Sequence, residues 1–160
     1  MQHWWVNQNQ TYEHEIRGEY LWSPKVNTNG ARNRFYENMS LVQPGDVVFS
    51  FCDTLIKAVG VASGTAISTP KPKEFGTVGP NWDGVEGWKV PVRFKELDQP
   101  IRPKDHIDEI RWSLPTKYSP LQQNGNGLQG VYLAEVPPAL ADILRMLLEG
   151  QVEMAVSLLV

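Results

Sequence analysis

Side chains that could carry out catalysis are few and scattered in this chain of 160 residues. The three histidines, His3, His14 and His106, lie in dissimilar segments, and Cys52 is the single cysteine. These spacings match no common zinc site, and the chain has neither a Walker-type phosphate loop nor a dinucleotide-binding glycine pattern. The sequence therefore predicts a binding domain that is not an enzyme and that uses no metal ion or cofactor.

One group of acid and base residues remains as a catalytic alternative. Asp105 and Asp108 flank His106 in the segment KDHID. Two acids around a histidine on a short helix more often form a solvated charged surface than an acid–base site. A catalytic role for these three residues is therefore the third hypothesis.

Aromatic and proline residues in polar segments offer better material for binding. They lie in three segments far apart in the chain: Trp22 with Pro24, Trp82, and Tyr118 with Tyr132. Flat aromatic faces and a rigid proline can form a slot for a planar ring, and each stacked base gains about 1 to 3 kcal/mol. These residues are therefore candidates for such a slot. Packing at the end of a barrel is the better explanation for Trp22 taken alone but not for Trp82, and for Tyr132 the answer depends on which face of its strand it occupies.

A small basic patch follows the first of these segments. Lys25, Arg32 and Arg34 occur with no acidic residue between Lys25 and Arg34, and Asn33 lies among them. The whole chain carries a formal net charge of -3, which argues against a binder that relies on overall positive charge. A local patch can still hold phosphates, so we predict phosphate contacts from Lys25, Arg32, Asn33 and Arg34.

Apolar and alternating segments predict the elements that would position these residues. Strands are expected at WWVN, VVFSF, IKAVGVASG, WKVPVRF and VYLAEV, with a hairpin turn at Asp53-Thr54 and an edge or a bulge at Pro91. Short helices are expected within Thr11–Tyr20, ARNRFYENM and RPKDHIDEIRWSL, and a longer one in PPALADILRMLLEG. The segment WSPKVNTNG and the long connection from Thr65 to Gly87 are expected to be loops.

Composition favours one ordinary domain in a reducing compartment. The chain is 41% hydrophobic, and Cys52 lies in an apolar run typical of a buried thiol. No apolar run approaches the roughly 20 residues of a membrane-spanning helix, and no secretory signal is present, so we expect a cytoplasmic protein that does not bind membranes. We expect the domain to cover residues 1–150, with 151–160 as a C-terminal tail or the start of a linker.

The order of motifs in the chain resembles that of EVE domains of the PUA superfamily. It is carried by WWVN, by WSPK before ARN at the start of a helix, by PGD before VVFSF, and by IKAVGVASG. With NW and GVYLAE added, the chain is most similar to the EVE-like modules fused to HNH nucleases in modification-dependent restriction enzymes. The resemblance covers roughly residues 2 to 148 and is sharpest from about 22 to 64. The usual Lys-Ser-Glu-Pro loop of EVE domains is replaced here by Gln8-Asn9-Gln10.

This resemblance implies a fold and a function. The fold would be α/β (α+β), a PUA-like barrel of about five or six strands with peripheral helices. The function would be to read DNA by flipping a modified base, 5-methylcytosine or 5-hydroxymethylcytosine, into a pocket walled by Pro24, Trp82 and Tyr132, with Trp22 behind them. The domain would be the sensor of a modification-dependent restriction system, fused to or partnered by an HNH nuclease. The alternative is an RNA-modification or small-molecule-binding accessory protein that uses the same pocket.

Overall fold

A curled, mixed, seven-stranded sheet forms the centre of the computed structural model, which describes residues 1–160. The strands are β1 (His3–Asn7), β2 (Tyr20–Pro24), β3 (Val47–Cys52), β4 (Leu55–Ala62), β5 (Ile67–Pro70), β6 (Glu86–Ile101) and β7 (Leu133–Val136). Their order across the sheet is β2-β6-β4-β3-β1-β7, and β5 pairs with the start of β6. Only β1 and β3 are parallel. The predicted α+β fold, a strand barrel with peripheral helices, is confirmed, with a half-barrel of seven strands where about five or six were expected.

Short helices surround this sheet. The α-helices are α1 (Tyr12–Gly18), α2 (Arg34–Glu37), α3 (Ile107–Ile110), α4 (Pro138–Leu147) and α5 (Gln151–Leu159). The 3-10 helices are Asn38–Leu41, Lys73–Phe75, Pro80–Trp82, Pro103–His106 and Arg111–Ser113. None of the helices has the length and the apolar character needed to cross a membrane.

The two C-terminal helices cover the outer face of the sheet. Pro138 occupies the first turn of α4, where its missing N–H leaves no bond unmade. Gly150, at φ +84°, then ends the turn between α4 and α5. Val152 and Ala155 of α5 are buried in the larger core cluster, and α5 contacts β4 and β6. Residues 151–159, which the sequence analysis assigned to a C-terminal tail or the start of a linker, thus form a helix that packs on the sheet.

Both faces of β1 are buried, which explains its continuous apolar sequence. Trp4 packs with Val48 and Leu133 in the smaller core cluster, which we call the inner cluster. Trp5 belongs to the larger core cluster beneath α4 and α5, which we call the outer cluster. Neighbouring residues of a strand point to opposite faces, so the two tryptophans divide between the two layers. Packing therefore accounts for both of them.

Pro91 lies in a strand that is paired on both sides, whereas the sequence predicts an edge or a bulge there. β6 pairs with β2 on one side and with β4 and β5 on the other. On that second side, β5 pairs as far as Lys89 and β4 pairs from Val92 onward. Pro91 lies at the gap between them, where its carbonyl accepts the Ser63 N–H at 2.9 Å. A missing N–H therefore breaks no strand pairing there.

Candidate functional site

A cavity of about 600 Å³ lies at the carboxyl ends of β1 and β3. Its lining includes all four residues predicted to form the slot, namely Trp22, Pro24, Trp82 and Tyr132. Trp22 and Tyr132 are 110 residues apart in the chain, yet the backbone N–H of Trp22 lies 3.0 Å from the Tyr132 hydroxyl oxygen. The fold thus brings three distant segments to one place.

Trp22 and Pro24 belong to strand β2, and not to a loop as predicted. β2 pairs with β6, with Trp22 opposite Lys89 and Pro24 opposite Gly87. Pro24 ends the strand, a position at which proline interrupts little pairing. The Trp22 ring presses on Gly87, where an added Cβ would lie 2.4 Å from the ring. Trp22 is only 1% exposed, so it forms the base of the cavity wall.

The segment before Trp82 is ordered, although the sequence predicts a loop without structure. It contains β5 and two 3-10 helices, Lys73–Phe75 and Pro80–Trp82. The buried ammonium group of Lys71 donates hydrogen bonds to the carbonyl groups of Gly76 and Gly79 and to the carboxylate of Asp83, the last at 2.6 Å. This one side chain ties the segment into a compact unit.

Trp82 packs against other residues of the wall, which the sequence did not indicate. Its ring centroid lies 5.8 Å from that of Trp22, and Trp22 in turn contacts Phe75 edge-on at 5.9 Å. The Trp82 ring also covers Gly79, where an added Cβ would lie 2.1 Å from the ring. Trp82 nevertheless stays half-buried and lines the cavity. Trp82 therefore packs against the wall and also presents part of its ring to the cavity.

Tyr132 is held by a buried carboxylate that the sequence analysis did not single out. The Tyr132 hydroxyl donates to Glu15, which is fully buried on α1 and also accepts bonds from the Thr11 hydroxyl and from the Trp22 N–H at 2.9 Å. Burial raises the pKa of Glu15 to about 7. Burial, together with the nearby Glu15 charge, raises the pKa of Tyr132 well above its usual value. The only sequence signal is the spacing of Thr11 and Glu15 at i, i+4.

Tyr36 is a further aromatic residue of the lining that the sequence analysis missed. It comes from α2, and its hydroxyl forms no hydrogen bond with the protein. Burial raises the pKa of this phenol. The rest of the lining includes the apolar residues Phe51, Leu128 and Val131 and a polar rim with Asn7, Asn9, Gln10, Asp53 and Gln129. The cavity therefore combines an aromatic wall with amide and carboxylate groups that could meet the polar edge of a base.

The three predicted phosphate-binding cations differ in how free their charges are. Arg32 donates two hydrogen bonds to Glu37, at 2.6 and 3.1 Å. Arg34 lies 4.0 Å from a carboxylate oxygen of Glu135. The ammonium of Lys25 donates to the Ser68 hydroxyl at 2.6 Å and lies 4.1 Å from the centre of the Trp88 ring. Lys25, next to Pro24 of the cavity wall, is thus the only one of the three without an acidic partner.

Asn33 has a structural position in the loop before α2. Its side-chain oxygen accepts the N–H groups of Phe35 and Tyr36 at 2.9 and 3.3 Å, and its amide nitrogen donates to Asn27 at 2.9 Å. The amide is therefore engaged in capping the helix that places Tyr36 in the cavity lining. Tyr118, grouped with Tyr132 in the sequence analysis, contacts Phe35 and does not line the cavity.

The residues of the catalytic alternative do not form an acid–base site. Asp105 pairs with Arg102 at 3.6 Å, and Asp108 pairs with Arg111 at 3.1 Å. His106 is bonded to neither acid, and none of the three lines the cavity. Exposed ion pairs within one short helical segment account for this cluster.

Known structures include proteins with the same fold as this chain. No protein-family model and no curated protein sequence matches the chain. Among solved structures, human THYN1 protein in complex with 5-methylcytosine-containing DNA aligns with a TM-score of 0.58 at 13% identity, covering 93% of this chain and 98% of its own. The DUF55 domain of human thymocyte nuclear protein 1 aligns with a TM-score of 0.57 at 13% identity, covering 92% and 98%. The chain has an EVE, PUA-like fold.

A third similar structure widens the range of organisms with this EVE, PUA-like fold. A protein from Leishmania major aligns with a TM-score of 0.58 at 11% identity, covering 94% of this chain and 96% of its own. The resemblance drawn from motifs such as WSPK and ARN is therefore confirmed at the level of the EVE fold. At these identities the agreement concerns the backbone architecture, so the chemistry of the cavity has to be argued from its own residues.

Proposed function

We propose that this chain is a DNA-binding reader that takes a flipped modified cytosine, 5-methylcytosine or 5-hydroxymethylcytosine, into the cavity walled by Trp22, Pro24, Trp82 and Tyr132. The observation that carries this proposal is the convergence of these four residues on one cavity of about 600 Å³. Pockets for small ligands and cofactors usually measure about 300 to 1,000 Å³. The complex of human THYN1 protein, of the same fold, with 5-methylcytosine-containing DNA supports the assignment.

The energetics of such a site are balanced. Flipping a base out of a duplex costs a few kcal/mol of stacking and pairing, and stacking on aromatic side chains returns about 1 to 3 kcal/mol per base. Burial of one added methyl group is worth about 0.8 kcal/mol, which is roughly a fourfold preference. The polar rim can add to this, since the carboxylate of Asp53, which already accepts a hydrogen bond from Lys57 at 3.1 Å, has a second oxygen that is a suitable acceptor for the amino group of cytosine.

The positions of the cations support a modest contribution from the DNA backbone. Lys25 is free of acidic partners next to the cavity wall, whereas Arg32 and Arg34 each lie beside a glutamate. A net charge of -3 leaves little long-range attraction for DNA. Affinity would therefore depend on the captured base more than on phosphate contacts.

The proposal extends to a biological role as the sensor of a modification-dependent restriction system. This step rests on the resemblance of WSPK, ARN, NW and GVYLAE to EVE-like modules fused to HNH nucleases. In that role the chain recognises the modified DNA, and a nuclease domain or subunit cuts it. The chain itself would then leave DNA intact in the presence of divalent metal ions.

Titration with matched oligonucleotides tests the reader function. One cytosine is made unmodified, 5-methylated or 5-hydroxymethylated, and each form is placed in a single strand, opposite a mismatch and opposite guanine. We expect a preference for one modified form, and tighter binding where the base is already unpaired. Equal affinity for all three forms would contradict the reader function, and equal affinity in all three contexts would contradict flipping. A free nucleoside that binds as tightly as the oligonucleotide would favour the small-molecule alternative.

A further inference from the structure

The two terminal strands of the sheet meet at the cavity without pairing. β2 and β7 lie at opposite ends of the strand order. Between them, a side chain of α1 makes the connection. One carboxylate oxygen of Glu15 accepts both the Trp22 N–H, at 2.9 Å, and the Tyr132 O–H, while the other accepts the Thr11 O–H. The Trp22 N–H also lies 3.0 Å from the Tyr132 hydroxyl oxygen, which closes a triangle of hydrogen bonds at the seam.

We propose that Glu15 is the positioning residue of the cavity: its carboxylate fixes the separation of Trp22 and Tyr132 and thereby sets the width of the slot. Glu15 does not line the cavity, so it acts through these two walls. The inference rests on the proposed function only in that it takes the cavity to be the binding site.

The Glu15 carboxylate acts only as an acceptor in its hydrogen bonds to Thr11, Trp22 and Tyr132. An apolar side chain of similar length at position 15 would remove the acceptor of the Tyr132 hydroxyl. The Trp22 N–H would lose its acceptor at 2.9 Å and keep only the Tyr132 hydroxyl oxygen at 3.0 Å. Glutamine can replace these bonds, because its amide oxygen accepts from Trp22 and Tyr132 while its amide nitrogen donates to the Thr11 oxygen. The two substitutions therefore separate the hydrogen bonds from the charge.

The surroundings of Glu15 contain no compensating cation. The titratable groups that face it are the phenols of Tyr132 and Tyr20, and no lysine, arginine or histidine forms an ion pair with it. The amide of Gln8 approaches the same carboxylate. Because burial raises its pKa to about 7, Glu15 changes its charge in a pH range where binding can be measured.

The chain offers a matched control at the opposite end of the sheet. Asp46 is also buried and accepts three hydrogen bonds, from the N–H groups of Gln2 and Gln43 and from the indole of Trp4. None of these residues lines the cavity. A substitution at Asp46 therefore reports the cost of losing a buried carboxylate without touching the slot.

The experiment compares Glu15→Met, Glu15→Gln and Asp46→Asn by binding to the preferred modified oligonucleotide, at a temperature where each variant is folded. We expect Glu15→Met to raise Kd roughly tenfold or more, because two walls lose their fixed positions. Glu15→Gln and Asp46→Asn should stay within about twofold of the parent protein. Should Glu15→Met fail to fold, Tyr132→Phe keeps the ring, removes the hydroxyl held by Glu15, and should raise Kd roughly fivefold.

A measurement without DNA separates this inference from the proposed function. The backbone amide signal of Trp22 in an NMR spectrum should shift with a midpoint near pH 7 in the parent protein and stay constant in Glu15→Gln. If the protein fails to discriminate modified from unmodified DNA, the reader function is wrong, while this signal still reports the link from Glu15 to Trp22. A Trp22 amide signal that is the same in the parent protein and in Glu15→Met, or an equal rise of Kd in Glu15→Met and Asp46→Asn, would overturn the positioning role.

Discussion

Two buried carboxylates lie at opposite ends of the parallel strands β1 and β3. Asp46, at the amino end, accepts bonds from the N–H groups of Gln2 and Gln43 and from the Trp4 indole, at 2.9 to 3.0 Å. Glu15, at the carboxyl end, accepts bonds from one backbone N–H and from two hydroxyls. Both are almost inaccessible to solvent, at 3% and 0% exposure. Each carboxylate thus accepts three hydrogen bonds, and the two differ in where their donor residues lie.

The partners of Asp46 belong to the core, whereas those of Glu15 belong to the cavity. Asp46 ends the turn that leads into β3 and holds Trp4 in the inner cluster. Neither residue lines the cavity. Two partners of Glu15 are cavity walls, and burial raises the pKa of Glu15 to about 7 although the carboxylate accepts three hydrogen bonds. An incompletely compensated charge beside a cavity is typical of a functional site, and a fully bonded one in a turn is typical of stability.

The largest expected effect is on stability, from the loss of Asp46. Asp46→Ala leaves two backbone N–H groups and the Trp4 indole N–H without their acceptor. A buried donor such as the Trp4 indole costs about 1 to 3 kcal/mol when left unpaired, and each of the two partly buried backbone N–H groups costs less, so we expect the free energy of unfolding to fall by about 3 to 5 kcal/mol. Urea unfolding measures this change. The affinity of the folded protein for DNA should be unchanged. A loss of stability below about 1 kcal/mol would contradict the stabilising role that we assign to Asp46.

The next effect is the pH dependence of stability that Glu15 introduces. Its pKa is 4.5 when unperturbed and about 7 in the folded protein, so between these values the folded state binds the additional proton. The free energy of unfolding should therefore fall as the pH rises from about 4.5 through 7, by about 3 kcal/mol, relative to Glu15→Gln. Unfolding curves of both proteins at a series of pH values measure the difference. Parallel curves would mean that Glu15 has an ordinary pKa and resembles a surface glutamate.

Parts of the fold could be predicted because their signals are local. The turn at Asp53-Thr54 is a two-residue hairpin with both residues at positive φ, 52° and 68°, and it joins two apolar strands that are adjacent in the chain. The helix α4 shows its apolar stripe and its starting proline directly. Residues whose neighbours in space are also neighbours in sequence were therefore placed correctly.

Other parts depend on partners far along the chain. β2 was missed because its Ser23-Pro24 end has the composition of a turn and its pairing partner, the segment from Gly87 to Pro91, lies more than 60 residues away. Glu15 lies in an acidic segment that has the composition of a solvated helix, and only the closure of the sheet buries it. Trp82 was placed in the cavity lining by an aromatic signal alone, without the contacts to Trp22 and Gly79 that hold it.

Trp82 and Trp112 permit a comparison of a cavity tryptophan with an exposed one. Trp112 is 88% exposed and does not line the cavity, whereas Trp82 is half-buried and does. Trp82→Ala should weaken binding of modified DNA by about 1 to 3 kcal/mol and lower stability by about 1 kcal/mol through lost packing on Trp22. Trp112→Ala should change neither quantity. Equal losses of affinity in both variants would place the bound base outside this cavity.

The smallest expected effect distinguishes a free cation from a paired one at the cavity end. Lys25 has no acidic partner, whereas Arg32 is neutralised by two hydrogen bonds to Glu37 in the free protein. Lys25→Ala should weaken modified and unmodified DNA equally, by less than about 1 kcal/mol, and should lower the slope of log affinity against log salt by about one. Arg32→Ala should change that slope less, because Arg32 must first leave Glu37 before it can contact a phosphate. Affinity measured at four salt concentrations gives both slopes. A loss confined to modified DNA in Lys25→Ala would instead mean that Lys25 contacts the captured base, and the polar rim of the cavity would then extend to this lysine.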